Sequence, residues 1–186
     1  SAIVSNNRLN FYVANSLFDN GGGSGNSMVC RDGFFMPFKP ATGDLLGTTV
    51  NSISPSFAYV SHVWAGEDRG VTRTGYSNNV ALGQLALSPG GFAPYVFSFA
   101  GATAHNALYV DLLDISQLSD YQNQIEIDPS LVIYFAAAAV RSSVTLPVNY
   151  SPEEFLDGQF EGRLRWVKEF AGPNSAVDVL VNGNQT

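Results

Sequence analysis

Short runs of alternating apolar and polar residues, cut by turn signals roughly every 8–12 residues, constrain this chain most. Arg8 to Ala14 sets Leu9, Phe11 and Val13 on one side. Ser56 to Trp64 is apolar on both sides apart from Ser61 and His62, as a fully buried strand is. Tyr95 to Ala100 sets Tyr95, Phe97 and Phe99 against Val96 and Ser98, and Ala107 to Ile115 follows with Leu108, Val110 and Leu112 on one face. Leu131 to Val140 opens on Val-Ile-Tyr-Phe, which favours strand over helix despite its alanines. Val177 to Val181 reads as a last strand.

These runs predict one all-β domain over 1–186. An antiparallel, jelly-roll-like β-sandwich is the leading expectation. The alternative is a β-solenoid, in which 80–87, 95–100, 107–115, 125–128 and 131–138 are successive faces of coils; unequal loops and the lack of a repeated motif count against it. One helix is expected near 151–157. There Ser151 can cap, Pro152 suits the first helical position, Glu154 completes a capping box and Gly158 can end it.

Only 13% of the residues are charged, against about 25% in an ordinary soluble domain. The net charge is −7, carried entirely by the second half: five basic and five acidic residues lie in 1–100, four basic and eleven acidic in 101–186. Such a chain offers no basic face for nucleic acid or for an anionic membrane surface, and no apolar run is long enough for membrane insertion. What remains is a neutral, hydrogen-bonding surface rich in Asn, Ser, Thr and Gly. It suits a polysaccharide or surface glycan, or copies of the same module. The single cysteine, Cys30, cannot form an intrachain disulfide and reads as a small buried hydrophobe. The lysine-poor composition leans towards a secreted or cell-surface setting, and the abrupt end after Asn182-Gly-Asn-Gln-Thr suggests a module of a larger protein.

No catalytic signature stands out. His62 and His105 lie on different segments, there is no Gly-x-Ser-x-Gly elbow, and no set has zinc-ligand spacing. No cofactor is implied. Calcium is the cation to consider, because Asp111, Asp114, Asp120, Glu126 and Asp128 crowd one region, although without a Ca-loop pattern. Sugars dock on flat aromatic rings with amides and carboxylates beside them. Trp64, Tyr76 with Asn78, Tyr121 with Gln122, and Trp166 are therefore the candidate glycan-binding residues.

Two resemblances bear on this. Tyr95-Val-Phe-Ser-Phe-Ala-Gly followed by Asn106-Ala-Leu-Tyr-Val-Asp resembles the closing strands of jelly-roll carbohydrate-binding modules. Asn106-Ala-Leu-Tyr-Val-Asp, Ile127-Asp-Pro-Ser-Leu-Val-Ile-Tyr-Phe-Ala and Leu156-Asp-Gly-Gln-Phe-Glu-Gly-Arg-Leu-Arg-Trp-Val-Lys-Glu-Phe-Ala-Gly-Pro are together similar to a module near the end of very large secreted bacterial repeat proteins. That likeness covers roughly 80–181. It implies a secreted, surface-associated context and no catalytic residues. The expectation is a non-catalytic extracellular module that binds neutral glycan, as in adhesion. The alternative is a structural, self-assembling subunit of a fibre or surface layer.

Overall fold

The computed structural model describes residues 1–20, 23 and 25–174; the strand read over Val177–Val181 lies outside them. The strands in chain order are β1 (Ala2–Ser5), β2 (Leu9–Asn10), β3 (Asn26–Cys30), β4 (Phe34–Phe35), β5 (Leu45–Ser54) and β6 (Tyr59–Trp64). They continue as β7 (Leu82–Pro89), β8 (Val96–Gly101), β9 (Asn106–Asp114), β10 (Ile125–Ile127), β11 (Leu131–Ala139) and β12 (Leu164–Trp166). Helical pieces are short: α1 (Tyr121–Gln124), α2 (Pro152–Leu156) and single turns at Arg73–Tyr76 and Gln159–Gly162.

Among the described residues the strands form a large sheet of seven, ordered β1-β3-β5-β7-β9-β11-β12, and a small sheet of five, ordered β10-β8-β6-β4-β2. Every strand pair in both sheets is parallel. Parallel neighbours need a crossover rather than a hairpin. From β1 to β11 the crossover for each strand is the next strand of the opposite sheet, so the chain winds as a coil and stacks each turn on the last; β11 reaches β12 in the same sheet through α2 and the turn at Gln159–Gly162.

This overturns the antiparallel jelly-roll sandwich. Alternation has period two whichever way the neighbouring strand runs, so the pattern that predicted strands is blind to their direction. The segments near 80–87, 95–100, 107–115, 125–128 and 131–138 fall on β7 to β11, which alternate between the two sheets. No repeat is visible in the sequence because the coil offset varies. It is 25 residues from Ala2 to Ser27, 22 from Asn26 to Thr48, 35 from Thr49 to Gln84 and 28 from Gln84 to Leu112.

In-register stacking builds the core as ladders. In the large sheet Met28, Val50, Leu85, Leu113 and Ala138 lie side by side on successive strands, all buried. In the small sheet His62, Phe99 and Ile127 form the facing row. The His62 ring stacks on Phe99 at 4.3 Å and meets the edge of Phe34 at 4.5 Å. The two sheets share one apolar cluster.

The two ends of the coil differ. At the C-terminal end α2 and the following turn close the large sheet. Ser151 Oγ accepts from the Glu154 N–H at 3.2 Å and the Glu154 carboxylate accepts from the Ser151 N–H at 3.0 Å, fixing α2. Leu156 is buried, and Phe155 and Phe160 pack on the core. At the N-terminal end β1 and β2 are the outermost strands, and Ile3 and Val4 are exposed.

The outer faces differ as well. The large sheet's outer face is covered over β9 and β11, where Tyr109, Asp111, Tyr134 and Ala136 are buried. Residues 65–81 and a strap over 167–174 supply the cover: Tyr76 stacks on Phe170 at 3.7 Å, and the Asp111 carboxylate accepts from the N–H groups of Gly172 and Asn174 at 3.0 and 2.6 Å. The outward positions of the small sheet stay partly or fully exposed. Among the described residues, no helix is long and apolar enough to cross a membrane.

Candidate functional site

The structure scatters the aromatic residues that the sequence nominated. Trp64 ends β6 inside the core, 2% exposed, with its ring against Phe34 at 5.3 Å and Phe11 at 6.2 Å. Tyr76 is buried under Phe170, and its hydroxyl donates to the Val110 carbonyl at 3.1 Å. Tyr121 is buried on α1 and donates to Gln159 Oε1 at 3.0 Å. None of these three rings offers a face to a sugar. Trp166 is half-buried; its indole N–H donates to the Ala136 carbonyl at 2.9 Å, and Lys168 Nζ sits 5.4 Å from its ring. Asn78 and Gln122 are exposed, and Asn78 uses Oδ1 to hold the Gly43 N–H at 3.2 Å. The six residues form no shared platform.

The carboxylates nominated for calcium serve as local staples. Asp111 anchors the strap. Asp114 accepts from the Ser116 N–H and hydroxyl at 3.0 and 2.6 Å, and Asp128 does the same for Ser130 at 2.8 and 2.5 Å. These bonds hold the Asp128 carboxyl below its ordinary value, its Ser130 hydroxyl partner being the largest cause. Asp120 precedes α1 and accepts from Asn123 Nδ2 at 2.8 Å. Among the described residues, no three His, Cys, Asp or Glu side chains group to hold a metal.

One pair looks like a nucleophile and its base. Ser52 Oγ lies 2.8 Å from His62 Nε2, and His62 Nδ1 lies 2.9 Å from the Ser98 carbonyl oxygen. A carbonyl only accepts, so Nδ1 carries the proton and Nε2 accepts from the serine hydroxyl. Yet Ser52 is 0% and His62 1% exposed. Burial pushes the imidazole down to about 4. The pair is a polar bridge between the two sheets, sealed from any substrate. Cys30, beside Ser52 in the large sheet, is also buried, and desolvation raises its thiol to about 11, far from a reactive thiolate.

The uncovered outer face of the small sheet has a different character. Its outward rows are Tyr59–Val96, Ser61–Ser98–Glu126 and Phe35–Val63–Ala100. Only one residue in these rows, Glu126, is charged, and it accepts a hydrogen bond from the Tyr59 hydroxyl. That bond raises the Tyr59 pKa. Two further rings stand at the corner where β6 and β8 begin. Phe57 is 71% and Phe92 79% exposed, beside Tyr59 at 58%. The turns that carry them are bonded together: the Phe57 N–H donates to the Phe92 carbonyl at 3.2 Å, and the Phe92 N–H to Ser56 Oγ at 2.9 Å. Gly91 permits this approach, since a Cβ there would collide with Ser56. Tyr12, also exposed, lies 6.5 Å from Phe35 across the same face.

Sequence reasoning missed Phe57, Phe92 and Tyr59 as contact residues. The available signal was positional: Phe57 follows Pro55-Ser56 and Phe92 follows Pro89-Gly90-Gly91, so both aromatics stand in turns. Flat rings, hydroxyls and small side chains on a nearly uncharged surface can stack on C–H faces and bond hydroxyls. Compared with known protein families, with curated proteins and with solved structures, the chain matches none.

Proposed function

We propose that this chain is a non-catalytic module whose small-sheet face and adjoining Phe57–Phe92 corner contact a neutral glycan. The observation that carries the reading is the in-register row Ser61–Ser98–Glu126 beside three exposed rings, with a single charge among them. Parallel stacking repeats side chains at about 4.8 Å along the coil axis, giving an extended polymer successive contacts on one flat surface. Exposed aromatics grouped on one side mark a contact surface rather than random exposure. A secreted or cell-surface setting belongs to the same reading, because neutral polysaccharides are displayed there.

Affinity electrophoresis through gels containing neutral polysaccharides tests it. The expected result is retarded migration in at least one gel. Tyr59→Ala and Phe92→Ser should each weaken retention by at least about fivefold, the loss of one stacked ring at about 1 kcal/mol. Asn78→Ala, in the segment that covers the large sheet, should leave retention unchanged. Unretarded migration in every gel would remove the basis for the reading.

A further inference from the structure

We infer that Glu126 sets the charge class of polymer that the small-sheet face accepts: an uncharged chain binds, and a chain bearing carboxylates or sulfates is turned away. This selectivity rests on the glycan reading of the same face. Glu126 is the middle residue of β10, the edge strand of the small sheet, and it ends the outward row Ser61–Ser98–Glu126. It is exposed, and among the described residues no lysine or arginine forms an ion pair with it. Asp128, which follows β10 closely, carries the same sign. The negative charge at this end of the row is therefore uncompensated.

The charge stands at the rim of a stacking ring. Tyr59 lies on β6, and β8 separates β6 from β10. Its hydroxyl donates to Glu126 Oε2, so the side chain is laid across β8 and held at its far end by the carboxylate. The ring stays more than half exposed. A sugar stacked on it at about 4 Å brings its ring substituents within about 4–6 Å of Glu126. A sugar hydroxyl there can donate to the carboxylate. A uronate or sulfate ester can only accept, and it meets a like charge well inside the screening length of about 8 Å at physiological salt. Ser61 and Ser98, the other members of the row, are neutral and can donate to either kind of group, so the discrimination falls to Glu126.

Affinity electrophoresis at low salt tests this with hydroxyethylcellulose, galactomannan, dextran and soluble starch, each beside its heavily carboxymethylated derivative. The quantity read is the ratio of retention in the neutral gel to retention in its acidic derivative. For wild type the ratio should be at least about fivefold wherever the neutral polymer retards the chain. Glu126→Gln should lower the ratio at least about threefold, and Glu126→Lys should bring it below one. Glu169→Gln removes a charge from the strap that roofs the large sheet and should leave the ratio as in wild type. A wild-type ratio near one, a ratio that both Glu126 substitutions leave unchanged, or an equal shift with Glu169→Gln would overturn the selectivity and leave the glycan reading standing. Loss of all retention by both Glu126 variants would make Glu126 a holder of the Tyr59 ring in place of a charge selector, which overturns it as well. Retention in no neutral gel removes the glycan reading, and the selectivity falls with it.

Discussion

Trp64→Ala is expected to lower the unfolding free energy by about 3–5 kcal/mol, at the upper end for a single core truncation. The ring is almost wholly enclosed, with Phe34 and Phe11 edge-on around it. Removing it leaves a cavity between rows of the coil, where stacked backbones cannot close the gap by a local shift. Its indole N–H has no hydrogen-bond acceptor among the described residues. Trp64→Phe therefore loses no bond and leaves a smaller gap, so it should cost less than the alanine variant, about 1–2 kcal/mol. Urea denaturation of the three proteins checks this. Below its melting temperature the alanine variant should keep whatever polysaccharide retention the wild type shows. A variant of unchanged stability that had lost retention would make Trp64 a contact residue after all.

Acid should destabilise the chain through His62. The folded imidazole is pushed down to about 4 by burial, against 6.5 for the exposed side chain. Between these values the unfolded chain binds the proton and the folded chain does not, so stability rises with pH across the window. The contribution is complete above about pH 6.5 and is lost as pH falls towards 4. Between pH 7.5 and 4.5 the loss should be about 2–3 kcal/mol. His62→Gln keeps a neutral hydrogen-bonding side chain in the bridge to Ser52 and the Ser98 carbonyl but cannot titrate. The difference between wild type and this variant at the two pH values isolates the effect from the carboxylates. A difference independent of pH would mean that the ring is already solvated or charged in the folded state.

Strands and apolar faces were readable from alternation, as in Tyr95–Ala100 and Ala107–Ile115, which became β8 and β9. Direction was not. Asp32-Gly33 has the composition of a two-residue hairpin turn. In the structure it joins β3 to β4 in the opposite sheet. Gly33 takes φ +73° there, and a Cβ on it would collide with the Ser61 carbonyl oxygen, a residue of the next coil. That requirement comes from stacking across 28 residues, from Gly33 to Ser61, which no local pattern records. The candidate site was less legible for the same reason. Trp64 and Tyr76 are the bulkiest residues of their segments, and bulk alone does not say which ring the coil buries. Residues 65–81 and the strap over 167–174 roof one sheet and leave the other open, and it is this asymmetry that makes Tyr59, Phe57 and Phe92 the exposed group.

Everything assigned to the small sheet depends on Ser61, Ser98 and Glu126 standing in one parallel row. Spin labels on cysteines at these positions, taken pairwise in a Cys30→Ser background, measure it by dipolar broadening. In-register parallel strands place the backbones of Ser61 and Ser98 about 5 Å apart, those of Ser98 and Glu126 the same, and those of Ser61 and Glu126 about 10 Å apart. Strong broadening in the two neighbouring pairs and weaker broadening in the third is the predicted result. A neighbouring pair without broadening would contradict the coil, and with it the contact face.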